Sequence, residues 1–169
     1  SEIYDVKELQ EQVANFASSM AEKLRKQRSV SGEMVVFAYT NRFKETQPQT
    51  YLNALVSFTT PTSDQRTIVS RAVSATKLMF KNGYGYKKAG VIASKIIPEG
   101  EVMHSLFEDT AATEREHKIT STLDAINSTF GKGTIKLAVQ GRGKIKTASD
   151  NQSPHYTTKW SDIPKVTVK

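Results

Sequence analysis

"EMVVFAYTNRFKETQPQTYLNALVSFT", residues 33–59, sets two runs of β-forming side chains around a polar loop, and its reading decides the class of fold. "EMVVFAYT" is a nearly continuous series of strand formers, and "NRFKETQPQ" is loop. In "YLNALVSFT" one face carries Leu52, Ala54, Val56 and Phe58, and the other carries Tyr51, Asn53, Ser57 and Thr59. That period of two marks a half-buried strand.

On the N-terminal side, residues 6–28 place Val6, Leu9, Val13, Phe16, Met20 and Leu24 at steps of three and four. This spacing predicts an amphipathic helix. Its last turn gathers Lys23, Arg25, Lys26 and Arg28, where the helix dipole favours cations, and Ser29 to Gly32 is expected to end it. On the C-terminal side, Pro61, Thr62, Ser63 and Asp64 form a helix start signal. Ile68, Val69, Ala72, Val73, Met79 and Phe80 supply a buried stripe, and Asn82-Gly83 a left-handed stop. "YGYKKAGVIASKII", residues 84–97, is the next strand.

The order helix, strand, strand, helix, strand is that of a ferredoxin-like β-α-β-β-α-β unit lacking most of its first strand. The expected fold is therefore α+β, an antiparallel sheet with two helices on one face. The missing strand would be central, and Ser1 to Asp5 is too short to supply it. After Pro98 the composition changes. Residues 98–115 read as a linker in which "EVMHSLFEDT", residues 101–110, leaves Leu106 and Phe107 side by side. "HKITSTLDAINSTFG" predicts a helix, and "TIKLAV", residues 134–139, a strand able to fill the gap in the sheet. From Gly141 onward an extended tail is expected, with Tyr156 and Trp160 packing on the body or touching a partner.

The 169 residues fit one ordinary domain, or a smaller one with an appendage. With no cysteine there is no disulfide, thiolate metal site or cysteine nucleophile. No apolar run approaches the roughly 18–20 residues of a membrane span, and no membrane partner is expected. No charged-then-apolar leader follows Ser1, so no signal peptide is expected, and the lack of an initiator Met suggests a piece of a longer chain. The net charge of +7 favours polyanionic partners, nucleic acid before acidic membrane surface.

Catalysis is not expected. His104, His117 and His155 have no spacing suited to a metal or to a nucleophile-base pair, and the carboxylates read as helix-face or loop charges. The basic clusters say more. "KLRKQR", "TNRFK", "NGYGYKKAG" and "GKGTIKLAVQGRGKIK" interleave Lys and Arg with Tyr, Phe, Gly and Thr, a mixture suited to phosphate contacts that set register without reading sequence. The alternative for each cluster taken singly is a solvated cationic face.

Taken in order, "AEKLRKQ", "VFAYTNRF", "PTSDQRTIV", "NGYGYKKAGV", the "SLF" element, "FGKGTIKLAVQG" and "SPHYTTKW" resemble the C-terminal part of UmuC-like (ImpB/MucB/SamB-type) Y-family DNA polymerases, the catalytic subunit of polymerase V. The likeness covers essentially the whole chain. It implies a little finger DNA-binding domain over 1–97, a linker over 98–113 and a C-terminal extension over 114–169. It further implies that the sheet lies on the duplex backbone and steadies the template-primer at damaged sites. By position, phosphate contact falls to Thr40, Asn41, Arg42 and Lys44 and to Tyr86, Lys87 and Lys88, with Arg25 and Lys26 as secondary contacts.

In that family the catalytic carboxylates and divalent metal ions belong to a palm domain, which this chain lacks, so no cofactor is expected here. The resemblance also implies a peptide of the Gln-x-x-Leu-Phe kind that docks on the sliding clamp. Leu106 and Phe107 match it, and Met103 stands where glutamine is usual. Other implied partners are the remainder of the polymerase and its accessory subunits, and the implied location is the bacterial cytoplasm at the nucleoid. Leu106 and Phe107 could instead fold back on the domain. Two other readings remain open. One is a ferredoxin-like RNA-binding module, which would carry aromatics mid-strand on the open sheet face; the tyrosines of "GYGY" precede their strand and argue against it. The other is a protein-interaction scaffold.

Overall fold

The computed structural model describes residues 2–44, 46–102 and 110–141. Met103, Leu106 and Phe107, with His104, His155, Tyr156 and Trp160, lie outside the described residues. The elements are α1 (Val6–Lys26), β1 (Ser29–Thr40), β2 (Tyr51–Thr62), α2 (Gln65–Met79), β3 (Tyr86–Pro98) and α3 (Thr110–Phe130). Single 3-10 turns follow at Glu99–Glu101 and Ala138–Gln140.

The strands form an antiparallel sheet in the order β2-β1-β3, with α1 and α2 packed on one face, an α+β ferredoxin-like arrangement. Helix starts follow their caps. Asp64 accepts the Thr67 amide at 2.7 Å at the head of α2, and Asp5 accepts that of Lys7 at 3.3 Å at the head of α1. α1 ends sooner than its charge pattern suggests. Arg28 takes a left-handed φ of 52°, the chain reverses at once, and Ser29 already pairs with Pro98. Gly32 lies at a register shift between Ser31 and Glu33, where a Cβ would come within 3.2 Å of the Lys95 Cβ.

Two expectations about the sheet need correction. β1 and β3 pair directly from Ser29–Pro98 to Thr40–Tyr86, so no central place is empty. The N-terminal segment meets the outer edge of β3 instead, where Ile3 and Tyr86 exchange amide hydrogen bonds of 2.9 and 2.8 Å. The strand expected over 134–139 does not form. Asn127 receives the Ile135 amide on its Oδ1 and donates to the Ile135 carbonyl, Gln140 Oε1 receives the Leu137 amide, and these local bonds take the place of a ladder.

The core lies between the helices and the sheet. α1 contributes Leu9, Val13 and Leu24 together with Ala14, Ala17 and Ala21, and α2 contributes Ile68, Val69, Ala72 and Ala75. The alanines matter because helix separation is set by the side chains at the contact. Met34, Val36 and Ala38 of β1 complete the layer and are fully buried.

α3 and the turn after it are tied to this body. The Arg25 guanidinium forks onto Asp124, with Nε to Oδ2 at 2.6 Å and Nη2 to Oδ1 at 2.7 Å, and also donates to the Ser63 carbonyl at 2.8 Å. Thr120 donates to Asp64, the α2 cap, at 3.1 Å. Asn15, buried on α1, donates to the Gln140 carbonyl at 2.9 Å while the Gln140 amide returns to Asn15 Oδ1. Leu137 packs on the core beside them.

Candidate nucleic-acid interface

Because Met34, Val36 and Ala38 point at the helices, the alternate residues of β1 point the other way, and strand pairing arranges them in rows. One row reads Tyr51, Tyr39, Lys88 and the next Asn53, Phe37, Gly90. Leu55, Val35, Ile92 and then Ser57, Glu33, Ser94 follow. No helix covers this side among the described residues, and Tyr51, Leu55 and Ile92 are more than half exposed.

The aromatic end of the face is ordered. The rings of Phe37 and Tyr39 lie 6.2 Å apart at 18°, and those of Tyr39 and Tyr51 lie 6.0 Å apart at 30°. Gly90 leaves the space that the Phe37 ring occupies: a Cβ there would come within 2.8 Å of the ring. Two cations approach the Tyr39 ring, the guanidinium of Arg42 from the loop after β1 and the ammonium of Lys88 from β3, each 5.9 Å from its centroid. At the other end Glu33 is paired with Lys95 at 2.7 Å. The acidic group is thus neutralised far from the two cations.

Each expected contact residue has a definite place. Thr40 is buried, donating to Gln49 Oε1 at 2.8 Å and accepting the Thr50 amide at 3.0 Å. Asn41 makes an Asx turn, its Oδ1 receiving the Phe43 amide at 3.2 Å, which leaves Arg42 and Phe43 projecting. Lys44 pairs with Glu2 at 2.9 Å, holding that carboxyl below its usual range, and Glu2 raises the Lys44 ammonium in return. Lys87 and Lys88 are exposed.

Tyr86 is a core residue. Its ring packs on Phe80 with centroids 5.5 Å apart, and its hydroxyl both accepts the Lys81 amide and donates to the Lys81 carbonyl, each at 3.1 Å. Burial pushes its phenol pKa up. A register shift at Thr40–Tyr86 makes Lys87 the extra residue, so Tyr86 and Ala89 can both face the helices while Lys88 faces outward. The α1 pair is elsewhere. Arg25 is committed to α3, and Lys26 bonds Glu22 at 2.7 Å near the start of β1, a strand length of roughly 30–35 Å from Arg42.

Sequence reading missed Phe37, Tyr39 and Tyr51 as a group and placed the aromatics only ahead of β3. The signal was present in "VFAYT", where two rings stand two residues apart and so share a face. It also missed Gln49, whose Nε2 lies within 3.1 Å of the carbonyls of Asn41, Lys44 and Gln47 and so organises the loop that presents Arg42. Among the described residues no group of three or more His, Asp or Glu could hold a metal ion, and no helix is long and apolar enough to cross a membrane.

Residues 1–106 match the impB/mucB/samB family C-terminal domain. The chain belongs to the impB/mucB/samB family. A second match, over residues 117–166, is to the domain of unknown function DUF4113. Relatives in the family include Protein UmuC of Salmonella typhimurium, 32% identical over 97% of this chain and 39% of that protein. Protein ImpB of the same species is 34% identical over 96% of this chain and 38% of its own length. DNA polymerase IV of Desulfatibacillum aliphaticivorans is 30% identical over 49% of this chain and 21% of its own length. The chain thus spans about two fifths of the impB/mucB/samB relatives it matches.

Proposed function

We propose that this chain is the non-catalytic, DNA-binding C-terminal region of a translesion polymerase acting in DNA damage tolerance in a bacterial cell, and that it holds the template-primer by its sugar-phosphate backbone. The observation that carries this reading is the meeting of Arg42 and Lys88 at the Tyr39 ring, on a sheet face that no described helix covers. Lys87 adds an exposed cation on β3, and Lys44, paired with Glu2, lies in the loop that carries Arg42. Thr40, Asn41 and Gln49 shape the loop, and Tyr86 anchors the strand that carries Lys87 and Lys88. The little finger comprises 1–97 and is followed by a linker over 98–113, whose last four residues are already the first turn of α3, and an extension over 114–169. The polymerisation chemistry and its metal ions belong to parts of the enzyme beyond this chain.

Replacing both Arg42 and Lys88 by Ala tests this. Fluorescence anisotropy with two unrelated primer-template duplexes is expected to give about the same loss on each, roughly tenfold at moderate salt, since phosphate contacts carry no sequence information. A loss confined to one sequence, or no duplex binding by the parent chain, contradicts the reading.

Met103, Leu106 and Phe107 are proposed to dock on the sliding clamp, with the rest of the polymerase and its accessory subunits as further partners. Burying a Leu and a Phe gives roughly 3–6 kcal/mol gross, much of it offset by association and ordering. Weak binding suffices for a protein already held close to the clamp on DNA. Leu106→Ala with Phe107→Ala should remove clamp association in a pull-down while duplex affinity and melting temperature stay unchanged. A fall in melting temperature would place the pair in the folded body instead.

A further inference from the structure

Phosphate contact with a duplex uses the cations gathered at Tyr39 but gives the rings of Phe37 and Tyr51 nothing to do, because paired bases are already stacked on one another. Yet Phe37, Tyr39 and Tyr51 are set as a row across two strands, with neighbouring centroids 6.0 and 6.2 Å apart. The row is a built feature. Gly90 makes room for the Phe37 ring on the central strand, and Tyr51, 54% exposed, extends the row to the free edge of β2.

We infer that this row is a stacking platform for unpaired bases of single-stranded DNA, whose phosphates are met by Arg42 and Lys88. The inference rests on the DNA-binding reading above and adds to it a ligand class, the unpaired template. Charge complementarity selects this occupant over an apolar protein surface. Both cations within reach of the rings are positive, and the acid on the face, Glu33, is occupied by Lys95 at the far end. Stacking is tolerant of sequence because every base has a π-face, as a platform for arbitrary template requires. Phe43, 96% exposed on the loop beside Arg42, adds a ring at the margin of the same surface.

The test uses the whole 169-residue chain and three labelled probes of equal length: a single-stranded mixed-sequence DNA, the same backbone with abasic sites throughout, and a blunt duplex. Tyr51→Leu and, as a second variant at the other end of the row, Phe37→Leu remove one ring each while keeping an apolar side chain in the strand. Each is expected to weaken single-strand binding about fivefold or more and to leave abasic and duplex binding within about twofold. The parent chain should bind the base-bearing strand more tightly than the abasic one.

Equal affinity for the abasic and base-bearing strands overturns the inference, as does single-strand binding unmoved by either variant, or a parallel loss on all three probes. Tighter binding of RNA than of DNA of the same sequence also overturns it, in favour of an RNA ligand. If duplex binding persists through any of these results, only the platform fails. If the parent chain binds no duplex, the proposed function fails with it.

Discussion

Tyr86→Ala is expected to lower the unfolding free energy by about 3–5 kcal/mol, the range for removing a large buried ring. The side chain is 1% exposed and clusters with Leu9, Ala38 and Leu52 at the end of the sheet where the N-terminal segment attaches. Tyr86→Phe keeps the ring and removes only the hydroxyl that spans the Lys81 amide and carbonyl, a change of about 1–2 kcal/mol. Urea unfolding followed by circular dichroism reads both. Duplex affinity of the Phe variant should equal that of the parent. If the Phe variant instead lost DNA affinity at unchanged stability, the hydroxyl would be a phosphate donor, as its place in "GYGYKKAG" suggests.

Arg25→Met should cost about 2–4 kcal/mol and release α3. The substitution keeps a long apolar stem but leaves Asp124, the Ser63 carbonyl and Gln65 without their donor. Removing one partner of a fully buried pair costs about 3–5 kcal/mol. The figure here is lower because Asp124 retains 36% exposure and water can partly replace the guanidinium. Amide exchange in α3 should accelerate more than exchange in β1, and duplex affinity should stay within about twofold, since Arg25 lies far from the open sheet face. Unchanged α3 protection with a loss of DNA affinity would return Arg25 to the residues that touch DNA. The same fork joins residues of the two matched family domains, 1–106 and 117–166, so its loss should separate their thermal transitions.

The elements most legible in sequence were those whose signals are local. Asp64 as a cap and the alternation of 51–59 depend on neighbouring residues alone, and the structure places them accordingly. The stop expected at Asn82-Gly83 falls earlier: α2 ends at Met79 with Phe80 already extended, and Gly83, at a φ of 84°, belongs to the turn that follows. The buried face of α1 was only half legible. Leu9, Val13 and Leu24 fit the apolar stripe, but Phe16 and Met20 are only partly buried while Ala14, Ala17 and Ala21 are fully buried, because the helix is enclosed by both α2 and the sheet. Alanine carries too little hydrophobic signal to reveal this.

For the candidate site, the exposure of Arg42 and Lys88 was readable from clustered charge, whereas the burial of Thr40 and Tyr86 and the pairing of Arg25 with Asp124 were not. A hydroxyl or guanidinium beside lysines reads alike whether it faces solvent or the core, and strand register, here with an extra residue at Lys87, decides the difference. Residues 134–139 misled for a related reason. Their alternation is strand-like, but their amides and carbonyls bond to Asn127 and Gln140, and pattern alone does not report where a partner edge lies.

The most direct measurement is the salt dependence of duplex binding by the parent chain and by the Arg42→Ala, Lys88→Ala double variant. If both cations sit on phosphates from one shared face, the slope of log affinity against log salt should become shallower by about 1.8, that is about 0.9 for each phosphate no longer neutralised. An unchanged slope, whatever the affinity, would mean that neither side chain touches the backbone and that the open sheet face is not where this chain meets DNA.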